Sequence, residues 1–172
     1  MPRCKVCKDK FEAKYFLQKT CLDPECILEY SKKETAKEWR KEKKHLKDKL
    51  KTNADHVKEL QVIFNKFIRL RDKDKGCVSC GTPLVGKFDA GHYYSAGGNP
   101  ELRFNEDNVF GQCVYCNQHR HGALLDYTER LPNRIGLCRF TELKKLRGKP
   151  MKYSIPELIE LKVIYRDKIK EL

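Results

Sequence analysis

The chain has 172 residues, with 37 Lys and Arg against 24 Asp and Glu, a net charge of +13, and nine cysteines. It contains no apolar run of the roughly eighteen residues that a membrane span needs, and its first residues lack the apolar core of a signal peptide. We therefore expect a cytoplasmic protein without a membrane partner, in which reduced cysteines bind metal rather than form disulfides. So much positive charge indicates a polyanionic partner, with nucleic acid as the first candidate.

The positive charge is concentrated outside the cysteine-rich middle of the chain. Residues 31–51 carry ten basic and four acidic side chains, whereas residues 76–122 carry three and four. This distribution is typical of flanks that bind phosphates around a central pocket that holds a cation, although a lysine-rich helix can also be a merely solvated face. The expected DNA contacts are Lys32, Lys33, Lys37, Arg40, Lys41, Lys43, Lys44 and Lys47.

The first predicted element is a small zinc finger in residues 1–30. Its ligands would come from two cysteine pairs, and a unit this short needs a metal because it cannot bury enough apolar surface to fold alone. Thirteen residues separate the pairs, which is a gap typical of zinc fingers and ribbons. The four predicted ligands are Cys4, Cys7, Cys21 and Cys26.

Several helices are predicted around the cysteine-rich middle. A charged helix over 27–51 forms most of a basic arm, 31–54, and an amphipathic helix follows over 55–74. Further helices are expected over 123–130 and 139–147, separated by a break at Leu131-Pro132-Asn133. A capping box at Ser154 predicts a last helix over 156–171.

A second four-cysteine set frames the middle of the chain. Two Cys-x-x-Cys turns supply four thiolates, which is the donor set of a structural zinc site. The predicted ligands are Cys77, Cys80, Cys113 and Cys116. Cys138 is left over, and we interpret it as a small buried apolar side chain.

The 32 residues between Cys80 and Cys113 carry the candidate chemistry. If a helix starts at the last zinc turn, Asn117 and His121 lie four residues apart on one face and could share Mg²⁺ or Mn²⁺ with an acid. His92 has an ordinary pKa near the working pH and could act as a general base on water.

The acid that would complete this metal site is the open point. The nearest one is Asp89, which in an extended strand faces away from His92 unless the chain bends at Ala90-Gly91. Asp107 and Glu106 are the reserve candidates, and their alternative interpretation is as solvated turn residues. His45 and His56 lie in charged helices and are interpreted as solvated.

Taken together, His92, Asn108, Asn117 and His121 between the two Cys-x-x-Cys turns resemble the HNH, or ββα-metal, nuclease motif. The resemblance implies that His92 is the general base, that Asn108 braces the loop by hydrogen bonds, and that Asn117 and His121 bind the catalytic metal. Many HNH enzymes have an Asp directly before the histidine, where this chain has Gly91.

Nearly the whole chain is similar to the NinG (Rap) recombination endonucleases of lambdoid phages. The similarity is carried by the N-terminal cysteine segment, by KEWRKEKK, and by DAGHYYSAGGNPELRFNEDNVFGQCVYCN. It implies a structure-specific endonuclease in the bacterial host cytoplasm that cleaves branched recombination intermediates such as Holliday junctions and D-loops. Phage recombination proteins and a homodimer are the remaining partner candidates, and the two symmetric cuts that resolve a four-way junction favour the homodimer.

The predicted fold is therefore α+β and mostly helical. It comprises the zinc finger, the basic arm and an HNH nuclease domain over 55–172, with two structural Zn²⁺ and one catalytic Mg²⁺ or Mn²⁺. Two other functions remain open: a non-catalytic double-zinc nucleic-acid-binding protein, and a recombination adaptor. The set of His92, Asn108, Asn117 and His121 favours the nuclease, because a mere binding protein does not require it.

Overall fold

The computed structural model describes residues 1–172 as two compact units, Met1–Lys51 and Thr52–Leu172. The predicted mostly helical α+β composition is confirmed, with one two-stranded sheet. The five α-helices and two strands are α1 (Pro24–Lys49), α2 (Asn53–Asp72), β1 (Phe88–His92), β2 (Val109–Cys113), α3 (Leu124–Ile135), α4 (Leu137–Leu146) and α5 (Ile155–Lys170). None of the helices is both long enough and apolar enough to cross a membrane.

The first unit combines a short cysteine-bearing segment with the long helix α1. Asp23 caps α1 by accepting a hydrogen bond from the backbone N–H of Glu25 at 2.8 Å, and Pro24 occupies the first turn. The helix therefore begins three residues before the predicted start. Cys26 is its only buried residue, so α1 depends on its own charged pairs and helix propensity more than on packing.

The second unit is built on the pairing of α2 with α5. Each helix begins with a capping box, Thr52 with Asp55 and Ser154 with Glu157. The two helices enclose an aromatic core in which Phe64 lies edge-on to Tyr165, with ring centroids 4.9 Å apart. The buried members of this core are Leu60, Phe64, Phe67, Ile68, Phe104, Val109, Leu158 and Tyr165.

The two strands form a regular antiparallel ribbon whose two faces pack against different helices. Ala90 and Val109 join the core made by α2 and α5. On the other face Phe110 packs among α3 and α4 residues, and the Tyr127 hydroxyl donates to the carbonyl of Gly91 at 3.0 Å. Side chains alternate along a strand, so Asp89 and His92 lie on opposite faces. The bend that would have joined them is absent, because the register is unbroken.

The predicted break at Pro132 is wrong. Helix α3 continues through Pro132 to Ile135, and the chain turns instead at Gly136, whose φ of 84° lies in the left-handed region. A proline inside a helix loses one backbone hydrogen bond. Here the loss is offset because Leu131 and Ile135, on either side of it, are both buried in the core.

Candidate metal and catalytic sites

The cysteine quartet of the second unit is assembled by the turn before the ribbon, the last residue of β2 and the turn that follows it. Its four sulfur atoms all lie within 4.8 Å of one another, and Cys80 Sγ and Cys113 Sγ are 3.8 Å apart. Zinc–sulfur bonds of about 2.3 Å in a tetrahedron place sulfurs about 3.8 Å apart, whereas a disulfide needs about 2.0 Å. The predicted quartet Cys77, Cys80, Cys113 and Cys116 is confirmed as a cluster that could hold a metal, and its geometry is consistent with zinc.

The pKa values of two thiols in this quartet are shifted in opposite directions. Burial raises the pKa of Cys80, but hydrogen bonds with the Thr82 hydroxyl and backbone overcome that effect and lower it to about 6. Burial and the neighbouring sulfurs raise the pKa of Cys116. A divalent cation would remove this mutual repulsion and stabilise all four thiolates.

The N-terminal quartet has the same arrangement on a smaller scaffold. Cys7 Sγ and Cys21 Sγ are 3.9 Å apart, and the backbone N–H of Val6 donates to Cys4 Sγ at 3.4 Å. Burial raises the pKa of Cys4, but backbone hydrogen bonds overcome that effect and lower it to about 6. The predicted cluster of Cys4, Cys7, Cys21 and Cys26 is therefore also confirmed as a group that could hold a metal.

Asn117, which directly follows the last cysteine of the second quartet, forms a hydrogen bond with Asp89 of strand β1. The short π-helical turn Tyr115–His119 contains Cys116 and therefore fixes Asn117 next to the cysteine cluster. Asp89 Oδ2 accepts hydrogen bonds from Asn117 Nδ2 at 2.9 Å and Gln118 Nε2 at 2.7 Å. No Lys or Arg forms an ion pair with this carboxylate, although the chain has a large excess of cations.

His92 ends strand β1 and is oriented by a backbone carbonyl. Its Nε2 lies 3.0 Å from the carbonyl oxygen of Arg103, which can only accept, so Nε2 carries the proton and Nδ1 keeps its lone pair in the neutral ring. Burial lowers the pKa of His92, with the Arg103 guanidinium in support and the carbonyl opposing. The ring is therefore held neutral near its ordinary titration range.

Asn108 is fully buried and ties together the loop between the strands. Its Oδ1 accepts from the backbone N–H of Tyr94 at 2.8 Å. Its Nδ2 donates to the carbonyls of Tyr94 and Leu102, both at 2.9 Å. Three hydrogen bonds from one side chain thus fix the start of the loop that follows His92 and the turn that precedes Arg103.

The helical spacing expected of Asn117 and His121 is wrong. The helical turn ends at His119, and His121 is an exposed residue with φ of 48°, in the left-handed region. The chain reverses there because the N–H of Gly122 donates to the carbonyls of Cys116 and Asn117. The reserve acids are occupied by cations: Asp107 pairs with Arg139, and Glu106 with Lys168.

Gln112 is a residue of this region that the sequence analysis did not single out. It is fully buried opposite Asp89, and its Nε2 donates to Ser79 Oγ at 2.7 Å and to the Gly122 carbonyl at 2.6 Å. Its Oε1 has no hydrogen-bond partner. A Cβ added to Gly91 would lie only 2.1 Å from this oxygen. In the sequence, the only indication of a close neighbour at this point was the glycine at position 91, directly before His92.

Two further sequence interpretations are wrong. Cys138 is exposed on α4 rather than buried, because Phe140 and Leu143 form the buried face of that helix. His56 is buried rather than solvated, with Nδ1 at 2.8 Å from Nζ of the buried Lys162, which also donates to Glu59.

The eight cations predicted to contact DNA all lie on α1. Every one of them is exposed to solvent. Their role in binding DNA stays a prediction, as does the division of the chain into three domains. Apart from the two cysteine quartets, no three His, Cys, Asp or Glu side chains converge to form a metal site.

Comparison with known proteins identifies close sequence similarity along the whole chain. A family model described as Bacteriophage Lambda NinG protein matches residues 1–172. Protein ninG of Escherichia phage 933W is 35% identical over 188 aligned positions, which cover 99% of this chain and 92% of that protein. Protein ninG of Escherichia phage lambda is 41% identical over 123 positions, covering 72% of this chain and 60% of that protein. No solved structure matches the chain.

Proposed function

Because the chain belongs to the phage NinG family, we propose that it is a metal-dependent endonuclease of the HNH type that cleaves branched DNA. The proposed substrates are Holliday junctions and D-loops, which are the substrates that the sequence resemblance implies. One observation carries the proposal: a carboxylate without a cationic partner, Asp89, is held against the carboxamide of Asn117 beside a cysteine cluster.

Asp89 and Asn117 would hold the catalytic Mg²⁺ or Mn²⁺. A carboxamide turned over about its last torsion presents Oδ1 where Nδ2 now lies, so Asp89 and Asn117 could both offer oxygen to one cation. Mg²⁺ is commonly bound by one or two protein oxygens and keeps several waters. Such an ion would polarise the phosphate and stabilise the leaving oxygen. The exposed His121 has no contact with the pair and is left outside the ligand set.

His92 would take the proton from the attacking water. The carbonyl of Arg103 fixes the ring tautomer, which leaves Nδ1 as the proton acceptor. Burial keeps the ring neutral and hence able to accept. Asn108 contributes indirectly, since its three hydrogen bonds hold the loop that carries this carbonyl.

The positions of Asp89 and His92 limit where the phosphate of the DNA substrate can bind. Asp89 and His92 are on opposite faces of a strand and three residues apart, which is about 10 Å along the strand. His92 is the last residue of β1. The phosphodiester is therefore proposed to lie across the end of the ribbon, where groups from both faces can approach it.

Cleavage assays with matched variants test this proposal. The zinc-loaded protein would be given four-way junction, D-loop and plain duplex with Mg²⁺ or Mn²⁺. We expect the branched substrates to be cut, and Asp89→Asn and His92→Ala each to reduce the rate by at least about 100-fold while junction binding persists. Asp167→Asn, which removes a carboxylate on α5 that is paired with Lys170, is the control and should cut normally.

A non-catalytic double-zinc DNA-binding protein is the second candidate. It is favoured by the finding that only the two cysteine quartets gather three or more His, Cys, Asp or Glu side chains. If the wild type binds junctions but cuts none with either metal, the nuclease proposal is wrong and this alternative stands. If the wild type and both variants cut equally well, the protein is a nuclease but the roles proposed for Asp89 and His92 are wrong.

A further inference from the structure

Helix α1 carries the single tryptophan of the chain, Trp39, in an exposed position. The side chain is 65% exposed, and no aromatic ring stacks on it and no cation lies over it. Because most of this ring stays in water, its burial contributes little to folding. It is available to a partner.

The charges of α1 are sorted around Trp39. One row of cations follows the helical spacing of alternately four and three residues, which places them on one face over about 21 Å. We refer to this set as the basic row: Lys33, Lys37, Arg40, Lys44 and Lys47. Glu34, Glu38 and Glu42 follow one another at four-residue spacing on the other side of Trp39.

The C-terminal part of the basic row is free to bind an anion. Lys33 and Lys37 pair with Glu29 and Glu34 of their own helix. Arg40, Lys44 and Lys47 form no ion pair and are exposed. An exposed ring and unpaired cations on one helix are the combination that binds single-stranded nucleic acid, in which phosphates contact the cations and a base stacks on the ring.

We propose that Trp39 is a stacking platform for an unpaired base of a DNA strand whose phosphates lie along the basic row. The proposal rests on the proposed function only in taking DNA as the partner, and it adds that the protein recognises an unpaired strand. In a plain duplex, each base already stacks on its neighbours and leaves no face for the indole. A base face becomes free to stack on Trp39 only where pairing is interrupted, as at a branch point.

A second copy of the chain fits this face less well. The apolar row that contains Trp39 continues through Leu46 and Leu50 but is interrupted by Lys43. Pairing two such helices would bury that lysine and bring two strongly basic segments together, without the sustained apolar seam of a coiled coil. Self-association is therefore an outcome against the proposal, and the experiment detects it.

The fluorescence of the single tryptophan tests the proposal directly. Zinc-loaded protein without added Mg²⁺ or Mn²⁺ is titrated with oligo(dT), with a hairpin duplex of equal charge, and with polyphosphate, which has charge but no bases. We expect oligo(dT) to quench Trp39 strongly, the duplex weakly, and polyphosphate hardly at all although it competes for binding. Equal quenching by polyphosphate, or a signal that varies with protein concentration alone, overturns the proposal.

Variants separate stacking from charge and from folding. By anisotropy of labelled oligo(dT), Trp39→Leu should bind about tenfold more weakly and Trp39→Phe less so, whereas duplex affinity stays nearly unchanged. Leu46→Ala, two helical turns along the same row, is the control and should bind normally, and circular dichroism should show unchanged helix content in all three. Normal oligo(dT) binding by Trp39→Leu overturns the proposal.

The outcome is distinguishable from failure of the nuclease proposal. Asp89→Asn should retain full quenching, because Trp39 belongs to the other unit of the chain. A protein that quenches but never cuts would contradict the nuclease proposal alone. A protein that cuts junctions while Trp39→Leu binds oligo(dT) normally would contradict the stacking proposal alone.

Discussion

At the scale of single residues, the buried side chain of Gln112 requires a glycine at position 91. The carboxamide of Gln112 is buried and held by Ser79 and Gly122, so it cannot move aside as a flexible surface side chain would. A Cβ on Gly91 would lie 2.1 Å from its Oε1. The position at which many HNH enzymes have an Asp is therefore filled, and in the proposed nuclease Asp89, two residues earlier on the same face, would supply the carboxylate instead.

Substitution of Gly91 tests this pairing. Gly91→Ala should lower the free energy of unfolding by about 1–3 kcal/mol, because a methyl group must displace an anchored side chain in a packed site. Chemical denaturation measures the change. Gly97→Ala, in a loop where an added Cβ meets nothing within 4 Å, is the control. Equal stabilities of the two variants would show that Gln112 yields freely.

A second prediction at this scale concerns pH. Burial lowers the pKa of His92 from its ordinary 6.5 in the folded protein, so the unfolded chain binds the proton first as the pH falls. The folded state is therefore expected to lose stability below about pH 6.5. Denaturation across pH should show that His92→Gln lacks this part of the loss. Parallel pH profiles of wild type and variant would contradict the burial effect.

At the scale of elements, the N-terminal cysteine segment is the part of the chain whose folding would depend most on a bound metal. Its buried residues outside α1 are Cys4, Gln18 and Thr20, and no apolar cluster lies among them. The second unit, by contrast, has two apolar clusters of eight buried residues each. Loss of zinc should therefore unfold the first segment and spare most of the second unit.

Metal analysis and one cysteine substitution test this difference. The wild type is expected to hold two zinc ions and Cys7→Ser one, with faster proteolysis near the N-terminus and an unchanged main unfolding transition. Cys138→Ser removes an exposed cysteine that belongs to neither quartet and should keep both ions. Two tightly held ions in Cys7→Ser would contradict the predicted ligand set.

Elements were predictable from sequence where local patterns determine them. The cysteine spacing identified both quartets, and capping residues located α2 and α5 within two residues. Pro132 misled because burial of its neighbours outweighed its local cost. The chain reverses at His121 because of hydrogen bonds donated by Gly122. The helical spacing of residues in the sequence does not show where such a helix ends.

Contacts between distant elements were less predictable still. The buried His56 and Lys162, together with the partly exposed Glu59, join α2 to α5, and each residue alone looks like an ordinary charged position on a helix surface. Asp89 and Asn117 were named from the sequence, but their hydrogen bond depends on the register of the ribbon. The same register placed His92 on the other face, which the sequence left open.

At the scale of the whole molecule, the net charge of +13 is the property that most directly concerns DNA. Each phosphate contact releases counterions, so the affinity of a cationic protein falls with salt at a slope that counts its contacts. The three unpaired cations of the basic row are exposed and should each contribute one contact. Cations already paired within the chain should contribute less, because binding DNA must first break those pairs.

Neutralising this part of the basic row tests whether α1 binds phosphates. Replacing Arg40, Lys44 and Lys47 by Gln should weaken binding to junction and duplex alike, and reduce the slope of log affinity against log salt by about 2.7. The control replaces Lys145, Lys149 and Lys152, three exposed lysines of the second unit, and so makes the same change in net charge. If both triple variants lose the same slope, the effect comes from net charge alone and α1 is no DNA-binding surface. If only junction binding falls, the helix determines which DNA shape is bound, because a phosphate contact by itself cannot distinguish one shape from another.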